Sequence, residues 1–472
     1  MMYLGSGLQE ECGVFAVSGT TDASTLTYYG LHSLQHRGQE GAGIATLNQN
    51  QKINFHKGEG LVSDVFKEVA LSDVLVGDVA IGHVRYSTDG GNGYENVHPI
   101  ILTTSKEQMA IAHNGNIINA KQLREELESV GSIFQSTTDT EIIGHLIHRE
   151  TGSFLERVCK GLLHLDGAFA FTILHKTGLY IARDCYGLRP LSIGKLPNGA
   201  IVFASETCAF NVVGATFVRD VEPGEVIHID KGEMQSTFYT KDTTHAMCMM
   251  EYVYFSRPDS DVGGCNVHSV RKRTGVQLFK EAHIDADIVI GVPDSSTSAA
   301  IGYAEAANLP YEMGLIKNRY IARTFIQPTQ ALREQGVRMK LSAVSSIVKD
   351  KRIILIDDSI VRGTTSKRIV QLLKEAGAKE VHMRIASPPI KYPCFYGVAT
   401  STFAELISNR LSVDELCTYI KADSLEFLSY DGLVSAVGRN QALGKNCGNC
   451  MACFTGEFPT KLYDSLEKAN QK

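Results

Sequence analysis

The sequence predicts two domains in series: an α+β domain with layered antiparallel sheets, followed by an α/β domain with a parallel sheet. The chain has 472 residues, which is more than a single hydrophobic core usually serves. Its first half contains many short strand-like runs interrupted by groups of helical patterns. After a polar segment at 231–246, continuous apolar strands alternate with helices, and this pattern is typical of a doubly wound parallel sheet.

The first half is defined by apolar or half-alternating runs of strand length and by amphipathic helical patterns. The strand-like runs are CGVFAVSG, DVAIGHVRYS, MAIAHNGNI, AFAFTILH, GLYIARD, IVFASE and EVIHID. The helical patterns are AKQLREELESVG, TEIIGHLIHRE and SFLERVCKGLLHL. Strands in clusters with helices between them predict antiparallel sheets covered by helices.

The second half repeats a strand–turn–helix unit. DIVIGVPDSSTSAAIGYAEAAN is one copy, RIILIDDSIVRGTTSKRIVQLLKEAG is another, and VHMRIASPPI adds a further strand. Ligands of such sheets bind beyond the carboxyl ends of the strands, where both Ser-rich loops lie. We predict a first domain at 12–240, a second at 247–453 and a C-terminal tail at 454–472.

Composition narrows the function classes. The formal net charge of −6 gives no general attraction to nucleic acid or anionic membrane. No apolar run is long enough to span a bilayer, and the first residues lack the pattern of a secretory signal. Eleven cysteines, an odd number scattered along a long chain, argue against a disulfide framework. We therefore expect a cytoplasmic protein with reactive or metal-binding thiols.

The stretch DDSIVRGTT carries chemistry at the end of a predicted strand. Asp357 and Asp358 can accept hydrogen bonds from a ribose diol or lie near a metal. Gly363 lets the backbone approach an anion, and Thr364 and Thr365 supply hydroxyls and amides at a helix N-terminus. A capped strand–helix turn is the alternative that a bare Asp-Asp-Ser would favour, but the whole string is more specific.

DDSIVRGTT resembles the phosphoribosyl pyrophosphate motif of type I phosphoribosyltransferases, and VPDSSTSAA resembles their pyrophosphate loop. The resemblance implies that Asp357 and Asp358 hold the ribose hydroxyls. The residues implied to line the 5′-phosphate loop are Ser359, Arg362, Gly363, Thr364 and Thr365. The residues implied for the pyrophosphate loop are Asp294, Ser295 and Ser296. The same resemblance implies a magnesium ion (Mg2+) shared by Ser295 and the two aspartates.

A basic segment lies between these two loops. Its cationic residues are Lys317, Arg319, Arg323, Arg333, Arg338 and Lys340. A solvated surface is one interpretation, and a lid that closes over an anionic substrate and excludes water is the other. The flanking phosphate loops favour the lid, with Lys340 as a substrate-binding residue.

The stretch LQEECGVFAV places Cys12 behind an acidic leader at the start of a strand. If Met1–Glu11 stays attached, Cys12 is an ordinary buried thiol. If the leader is removed, Cys12 carries a thiol and a free amine, which is a nucleophile with its own base.

Other stretches of the first half contain the parts that an amide hydrolase needs. Arg85 could clamp a substrate carboxylate. Asn114 and the backbone N–H of Gly115 could form an oxyanion hole. Asp139 could hold the α-amino group of an amino acid. Each signal alone is weak, since Asn-Gly is a common hairpin turn and STTDTE is a plausible helix cap.

Together with Cys12, the stretches LQHRGQEGAG, GHVRYST, AHNGN and STTDTE strongly resemble the class II glutamine amidotransferases. These have the N-terminal nucleophile hydrolase fold, with two sheets between helix layers. The resemblance implies that Met1–Glu11 is a propeptide and that the α-amine of Cys12 is the base. A free α-amine titrates near ~8, so a fraction of it is unprotonated at neutral pH, as a base must be.

Proteins with this glutaminase domain ahead of a phosphoribosyltransferase domain are the amidophosphoribosyltransferases, and the chain resembles them along nearly its whole length. The implied reaction makes 5-phosphoribosylamine from phosphoribosyl pyrophosphate and glutamine, releasing glutamate and pyrophosphate, at the start of purine synthesis. The labile amine product and free ammonia favour a closed passage between the two sites. The resemblance also implies a homo-oligomer, a dimer or a tetramer, inhibited by purine nucleotides.

The C-terminal stretch NCGNCMACFTG spaces Cys447, Cys450 and Cys453 at three-residue intervals, and Cys248 and Cys394 lie far upstream. Such thiols can ligate zinc or an iron–sulfur cluster. One local cluster joined to two distant cysteines suits a 4Fe–4S cluster better than zinc, and a set of buried thiols is the remaining alternative.

The chain resembles the iron–sulfur, propeptide-containing branch of the amidophosphoribosyltransferases. The resemblance implies that the cluster ligands are Cys248, Cys394, Cys450 and Cys453. It leaves Cys447 without an assigned role. The cysteines expected to be core residues are Cys159, Cys185, Cys208, Cys265 and Cys417.

Two other functions remain open from the sequence. A non-catalytic sensor of phosphoribosyl pyrophosphate would need only the second domain, and the intact set of Cys12, Arg85, Asn114 and Asp139 argues against it. A sugar-isomerising amidotransferase would share the first domain but should lack DDSIVRGTT.

Overall fold

The computed structural model describes residues 12–86, 93–318, 341–398, 400, 402–438, 448–465 and 469. Within these residues the predicted fold class is confirmed, because two antiparallel sheets precede one parallel sheet. No described helix is both long and apolar enough to cross a membrane.

The first part of the chain is mostly strands. They are β1 Gly13–Ser18, β2 Gly41–Leu47, β3 Ile53–Glu59, β4 Val79–Arg85, β5 Ile100–Thr103, β6 Gln108–Ile117, β7 Gly167–His175, β8 Gly178–Arg183, β9 Ser192–Lys195, β10 Ile201–Ala204, β11 Thr216–Asp220, β12 Glu225–Asp230 and β13 Glu233–Phe238. The helices are α1 Ala23–Ser33, α2 Val62–Val65, α3 Leu71–Val74, α4 Ala120–Ser129, α5 Thr140–Arg149, α6 Phe154–Leu162 and α7 Cys208–Val213, with a 3₁₀ helix at Tyr94–Asn96.

These strands form two antiparallel sheets that face each other. The seven-stranded sheet has the order β11-β9-β10-β1-β4-β2-β3, and the six-stranded sheet has the order β13-β12-β8-β7-β6-β5. Side chains alternate between the faces of a strand, so Val14 and Ala16 of β1 enter the core between the sheets. Phe15 and Val17 enter the opposite core, under α1 and α7. Helices α4, α5 and α6 cover the outer face of the second sheet.

The polar segment predicted as a junction contains a strand. β13 (Glu233–Phe238) pairs with β12 along its whole length, so 233–238 belongs to the six-stranded sheet. The segment reads as polar because β13 is an edge strand with mostly exposed side chains. Sequence polarity alone could not distinguish an exposed edge strand from a linker.

The second part of the chain contains the remaining elements. The strands are β14 Met247–Cys248, β15 Asp261–Val262, β16 Cys265–Asn266, β17 Ile288–Gly291, β18 Leu315–Lys317, β19 Leu341–Ala343, β20 Arg352–Asp357, β21 Glu380–Ile385, β22 Ser424–Phe427 and β23 Asn449–Cys450. The helices are α8 Val267–Glu281, α9 Thr297–Ala307, α10 Ser345–Val348, α11 Thr364–Glu375, α12 Ile407–Arg410, α13 Val413–Ile420, α14 Tyr430–Val437 and α15 Ala452–Thr455, with a π-helix at Glu251–Phe255 and a 3₁₀ helix at Phe403–Glu405.

The central sheet of this part is parallel, with the order β17-β20-β21-β22. Both of its faces are buried, which explains the continuous apolar runs of the sequence. On β20, Ile353 and Leu355 enter one core, while Ile354 and Ile356 enter the other. The phosphate-type loops follow β17 and β20, which are neighbours, so both loops begin at the same edge of the sheet.

Two candidate active sites and a cysteine-lined cavity

Cys12 lies immediately before β1 and is partly exposed. Its thiol donates a hydrogen bond to the carbonyl of Tyr86 at 3.4 Å. Because Gly13 of β1 pairs with Val84 of β4, Cys12 and Arg85 occupy the same end of adjacent strands. Arg85 is the last residue of β4 and is buried. The strand pairing thus brings together two predicted site residues that lie far apart in sequence.

Asn114 and Gly115 lie on β6, in the opposite sheet. Ser205 connects β6 to β1: its Oγ accepts the Val14 N–H at 3.0 Å and the Asn114 Nδ2–H at 3.4 Å. Ser205 is fully buried. The sequence did not predict it, because its place between Val14 and Asn114 comes from the pairing of β10 with β1.

Asn114 and Gly115 both have unusual local environments. Asn114 is fully buried, and its Oδ1 has no hydrogen-bond partner among the described residues. Gly115 has φ +143°, and a Cβ at this position would collide with the carbonyl oxygen of Ala168. Only glycine fits this backbone conformation. A buried amide atom without a partner is costly unless a ligand satisfies it.

Asp139 stands at the start of α5 but does not cap it. Instead its Oδ2 accepts the N–H of Ile117, the last residue of β6, at 2.8 Å. Burial alone would raise its pKa, but the neighbouring His113 and the hydrogen bonds from Ile117 and Thr138 outweigh burial and lower the pKa. Asp139 is therefore a carboxylate, as a partner for an ammonium group must be.

A buried ionic cluster lies behind Cys12. Arg37 is fully buried, and its Nε donates to the carbonyl of Cys12 at 3.2 Å. The same guanidinium contacts Glu206 at 2.6 Å and Glu251 at 2.8 Å. Burial alone would raise the pKa of Glu206, but His36 and Arg37 lower it further than burial raises it. No sequence motif identifies this cluster, because its members come from distant segments.

Buried histidines lie between the two sheets beside this site. His83 Nε2 lies 3.0 Å from the carbonyl of His113, and His98 Nδ1 lies 3.2 Å from His83 Nε2. Burial lowers the pKa of His83 to about 3, with further lowering from the charge of Arg85. His83 is therefore neutral at pH 7, and its Nε2–H can donate to the His113 carbonyl, next to Asn114.

The second site is built around Asp357 and Asp358, both buried at the carboxyl end of β20. Ser296 Oγ donates to Asp357 Oδ1 at 3.1 Å, and Ser359 Oγ donates to Asp358 Oδ1 at 2.6 Å. Ser295 Oγ also donates to Asp358. The two predicted loops thus meet through serine–aspartate hydrogen bonds.

Electrostatics at this site favour a cation. Burial raises the pKa of Asp357 well above its ordinary value, and the charge of Asp358 raises it further. Asp357 Oδ2 is buried and has no hydrogen-bond partner among the described residues. Adjacent buried carboxylates with an unsatisfied oxygen match the oxygen ligands that magnesium takes.

The loop after Asp358 leads into α11. Gly363 has φ +70° and immediately precedes the helix, so it supplies the turn that starts α11. Thr364 and Thr365 form its first turn. Arg362 is exposed and pairs with Glu405 on the neighbouring 3₁₀ helix.

Of the basic segment, Lys317 lies within the described residues and donates to Asp294 at 3.2 Å. Arg319, Arg323, Arg333, Arg338 and Lys340 lie outside the described residues, as do Met1–Glu11 and Cys447. The predicted lid, propeptide and spare cysteine therefore stay predictions.

The predicted cluster cysteines line one cavity, whose wall also includes Leu188 from the first part of the chain. Cys248, Cys394, Cys450 and Cys453 all contribute to its wall. Cys248 and Cys450 are partners in the parallel pairing of β14 with β23. Burial, with a smaller contribution from the Cys394 thiol, raises the pKa of the Cys450 thiol to about 12.

These thiols do not converge on a single point. Within the described ranges, no three His, Cys, Asp or Glu side chains are arranged to hold one metal ion. A zinc site needs four ligands around one ion, whereas each cysteine of a 4Fe–4S cluster binds a different iron atom. Four thiols in the wall of one cavity could each bind a different iron atom of such a cluster.

Comparison with known proteins shows the family to which the chain belongs. A family model of the glutamine amidotransferase domain matches residues 84–212, and one of the phosphoribosyl transferase domain matches residues 272–386. An amidophosphoribosyltransferase of Bacillus subtilis (strain 168) is 56% identical over 460 residues, covering 97% of this chain and 96% of the relative. The chain belongs to the amidophosphoribosyltransferase family. A second relative, an amidophosphoribosyltransferase of Staphylococcus aureus (strain COL), is 52% identical over 464 residues, covering 98% of this chain and 94% of the relative.

Two solved structures of the family are similar to this chain in sequence and in fold. The B. subtilis glutamine phosphoribosylpyrophosphate amidotransferase complexed with ADP and GMP is 55% identical, with a TM-score of 0.91 over 96% of this chain and 98% of its own. A structure described as the allosteric regulatory enzyme of purine biosynthesis is also 55% identical, with a TM-score of 0.92 over 96% of this chain and 97% of its own.

As a member of the amidophosphoribosyltransferase family, the chain is an enzyme of the first step of purine biosynthesis, the glutamine-dependent amidotransfer to phosphoribosyl pyrophosphate. The sensor and sugar-isomerising alternatives are therefore rejected.

Proposed function

We propose that Cys12, freed by removal of Met1–Glu11, hydrolyses glutamine with its own α-amine as base. The amine takes the thiol proton, and the thiolate attacks the side-chain carbonyl of glutamine. Asn114 and the Gly115 N–H hold the resulting oxyanion, and the protonated amine returns its proton to the departing ammonia. Water then releases glutamate from the thioester.

The observation that carries this proposal is the Ser205 bridge between Val14 and Asn114. The Asn114 Nδ2 group carries two hydrogens, and one of them bonds Ser205. We assign the second hydrogen to the oxyanion, beside the N–H of Gly115. Arg85 and Asp139 supply charges for the carboxylate and ammonium of glutamine.

The second half of the reaction is assigned to the loops around Asp357 and Asp358. These residues would hold the ribose hydroxyls and a magnesium ion, together with Ser295. A bound magnesium ion supplies positive charge against the pyrophosphate oxygens. The residues proposed for the phosphate groups are Asp294, Ser296, Ser359, Arg362, Gly363, Thr364, Thr365 and Lys340. Ammonia forms the new bond to ribose C1 as pyrophosphate leaves.

We further propose that the cysteine-lined cavity takes a 4Fe–4S cluster ligated by Cys248, Cys394, Cys450 and Cys453. When bound, the cluster supplies covalent links between β14, β23 and the 394–398 loop, which is a structural role. The presence of all four cysteines in the wall of one cavity supports it.

Regulation and assembly complete the proposal. The B. subtilis relative complexed with ADP and GMP supports inhibition by purine nucleotides. A homo-oligomer, a dimer or tetramer, and a cytoplasmic location stay predictions.

The catalytic proposal is tested by the intact mass and N-terminal residue of purified, glutamine-active protein. We expect the chain to begin at Cys12. Fully active enzyme with all eleven leader residues attached would contradict the assignment, because its α-amine would not be on Cys12.

The cluster proposal is tested by metal analysis of anaerobically purified protein. We expect a brown protein with about four iron atoms per chain. The Cys394→Ser variant should lose iron, whereas Cys417→Ser should retain it because Cys417 lies away from the cavity. Stoichiometric zinc in the purified protein would overturn the proposal.

A further inference from the structure

A loop of the second domain touches the strand that carries the proposed oxyanion hole. Asn116, two residues after Asn114 on β6, donates from Nδ2 to the carbonyl of Phe395 at 2.9 Å. Phe395 is buried and lies in the apolar cluster that also contains Ile118 and Ala168 of the first domain. The contact therefore joins the two domains next to Gly115.

Gly397 of the same loop packs directly on Gly115. A Cβ at Gly397 would lie 3.3 Å from the carbonyl carbon and oxygen of Gly115, closer than most such contacts. Gly397 has φ +107°, a conformation that favours glycine. Gly115 is thus held between Ala168 on one side and the second-domain loop on the other. Its backbone has little freedom to rotate away.

The loop is also tied to the nucleophile through buried charges. Arg189 is fully buried and donates to the Tyr396 carbonyl from Nε at 3.1 Å and from Nη2 at 2.6 Å. Arg189 lies 3.5 Å from Glu251, and Glu251 pairs with Arg37. The Nε of Arg37 in turn donates to the Cys12 carbonyl. The loop therefore contacts both sides of the glutamine site, the oxyanion strand directly and the nucleophile through three side chains.

We propose that the 394–398 loop is a positioning element for glutamine hydrolysis, and that Asn116 and Gly397 are its positioning residues. The loop fixes the backbone of Gly115 so that its N–H points at the oxyanion. This inference rests on the proposed roles of Cys12, Asn114 and Gly115. It makes glutamine hydrolysis depend on a segment of the phosphoribosyltransferase domain.

The test uses the full-length mature enzyme with the Asn116→Asp and Gly397→Ala variants. Asn116→Asp replaces the amide that donates to the Phe395 carbonyl with a carboxylate, which can only accept. Gly397→Ala adds a methyl group that contacts Gly115. We expect kcat for glutamine hydrolysis to fall about 10- to 100-fold, with KM changed less than about twofold. Ammonia-dependent synthesis and the alkylation rate of Cys12 by iodoacetamide should stay unchanged, since neither needs the oxyanion hole.

The matched control is Asn409→Asp. Asn409 donates to the carbonyl of Lys391 at 3.1 Å, an equivalent bond to the same stretch of chain that does not reach the first domain. We expect wild-type glutamine hydrolysis from this variant. Thermal unfolding of all variants checks that the fold is intact.

An unchanged kcat in both loop variants would overturn the inference. So would a joint fall of kcat, ammonia-dependent synthesis and Cys12 alkylation, because that pattern indicates general disruption. Failure of the underlying catalytic assignment looks different, since Cys12→Ala would then still hydrolyse glutamine.

Discussion

The two active sites are assembled in contrasting ways. The proposed glutamine site draws on separate strands and loops of two sheets, and its residues are Cys12, Arg85, Asn114, Asp139 and Ser205. The proposed phosphoribosyl site is formed mainly by two short loops at the ends of neighbouring strands. A site within one strand–loop–helix unit can be identified as a motif, whereas a site between sheets exists only through strand pairing.

The two sites also differ in whether their buried charges are paired within the protein. Behind Cys12, buried Arg37 is matched by buried Glu206 and Glu251, so its charge is neutralised within the protein. At the second site, Asp357 and Asp358 stand side by side, and the pKa of Asp357 is raised by burial and by its neighbour. The first site is preorganised by the protein, and the second is arranged for an ionic ligand.

Removal of the nucleophile should separate the two sites most clearly. Cys12→Ala is expected to lower glutamine hydrolysis by about 10⁴-fold or more, because no other residue can form the thioester. Synthesis with ammonia should persist, since the second site is intact. Glutamate release and ammonia-dependent product formation are measured in parallel, and loss of both would contradict a two-site enzyme.

Disruption of the matched charges should have the next largest effect. Glu251→Gln leaves Arg37 and Arg189 with excess buried positive charge, and we expect the free energy of unfolding to fall by about 3–5 kcal/mol. The control is Asp259→Asn, which removes a partly exposed ion pair with Arg257, with an expected loss of under about 1 kcal/mol. Equal losses in both variants would contradict the difference between buried and exposed pairs.

The Glu251 effect should depend on pH. Burial raises the pKa of Glu251, but Arg37 and Arg189 lower it overall, so it lies below the ordinary value of 4.5. The pairing therefore stabilises the fold above pH 4.5 and is lost as pH falls through the lowered pKa. Denaturant unfolding at neutral and acid pH should show the difference between wild type and Glu251→Gln shrinking in acid.

The acidic pair should govern the second site alone. Asp357→Ala is expected to weaken phosphoribosyl pyrophosphate binding by about 10- to 100-fold, the scale of hydrogen bonds to a charged group. Asp287→Ala is the control, because Asp287 pairs with Arg352 at the opposite end of β20. Calorimetry should detect the loss only in the first variant, and equal affinities would reject the assignment.

The smallest expected effect tests the bridge that the sequence did not reveal. Ser205→Ala removes the partner of the Val14 N–H and the Asn114 amide, so kcat for glutamine hydrolysis should fall about tenfold. Ammonia-dependent synthesis should be unaffected. Ser153→Ala, which removes the cap of α6, is the matched control. An unchanged kcat in Ser205→Ala would show that Asn114 is held by other contacts.

Local patterns were enough for the sequence to predict the fold class and the loops around Asp357. Continuous apolar runs identify buried parallel strands, and a strand–loop–helix unit keeps its ligand-binding residues adjacent in sequence. The exposed edge strand β13 was not predicted, because its polar composition matches that of a linker.

The sequence by itself determined which residue types were present for each chemistry: the thiol at Cys12, the amide at Asn114 and the paired carboxylates. Tertiary structure alone decided that Ser205 joins Val14 to Asn114, that Arg37 reaches Cys12, and that a second-domain loop rests on the first domain. The reason is physical: contacts between strands of different sheets follow from packing and pairing over long separations, and no local periodicity encodes them.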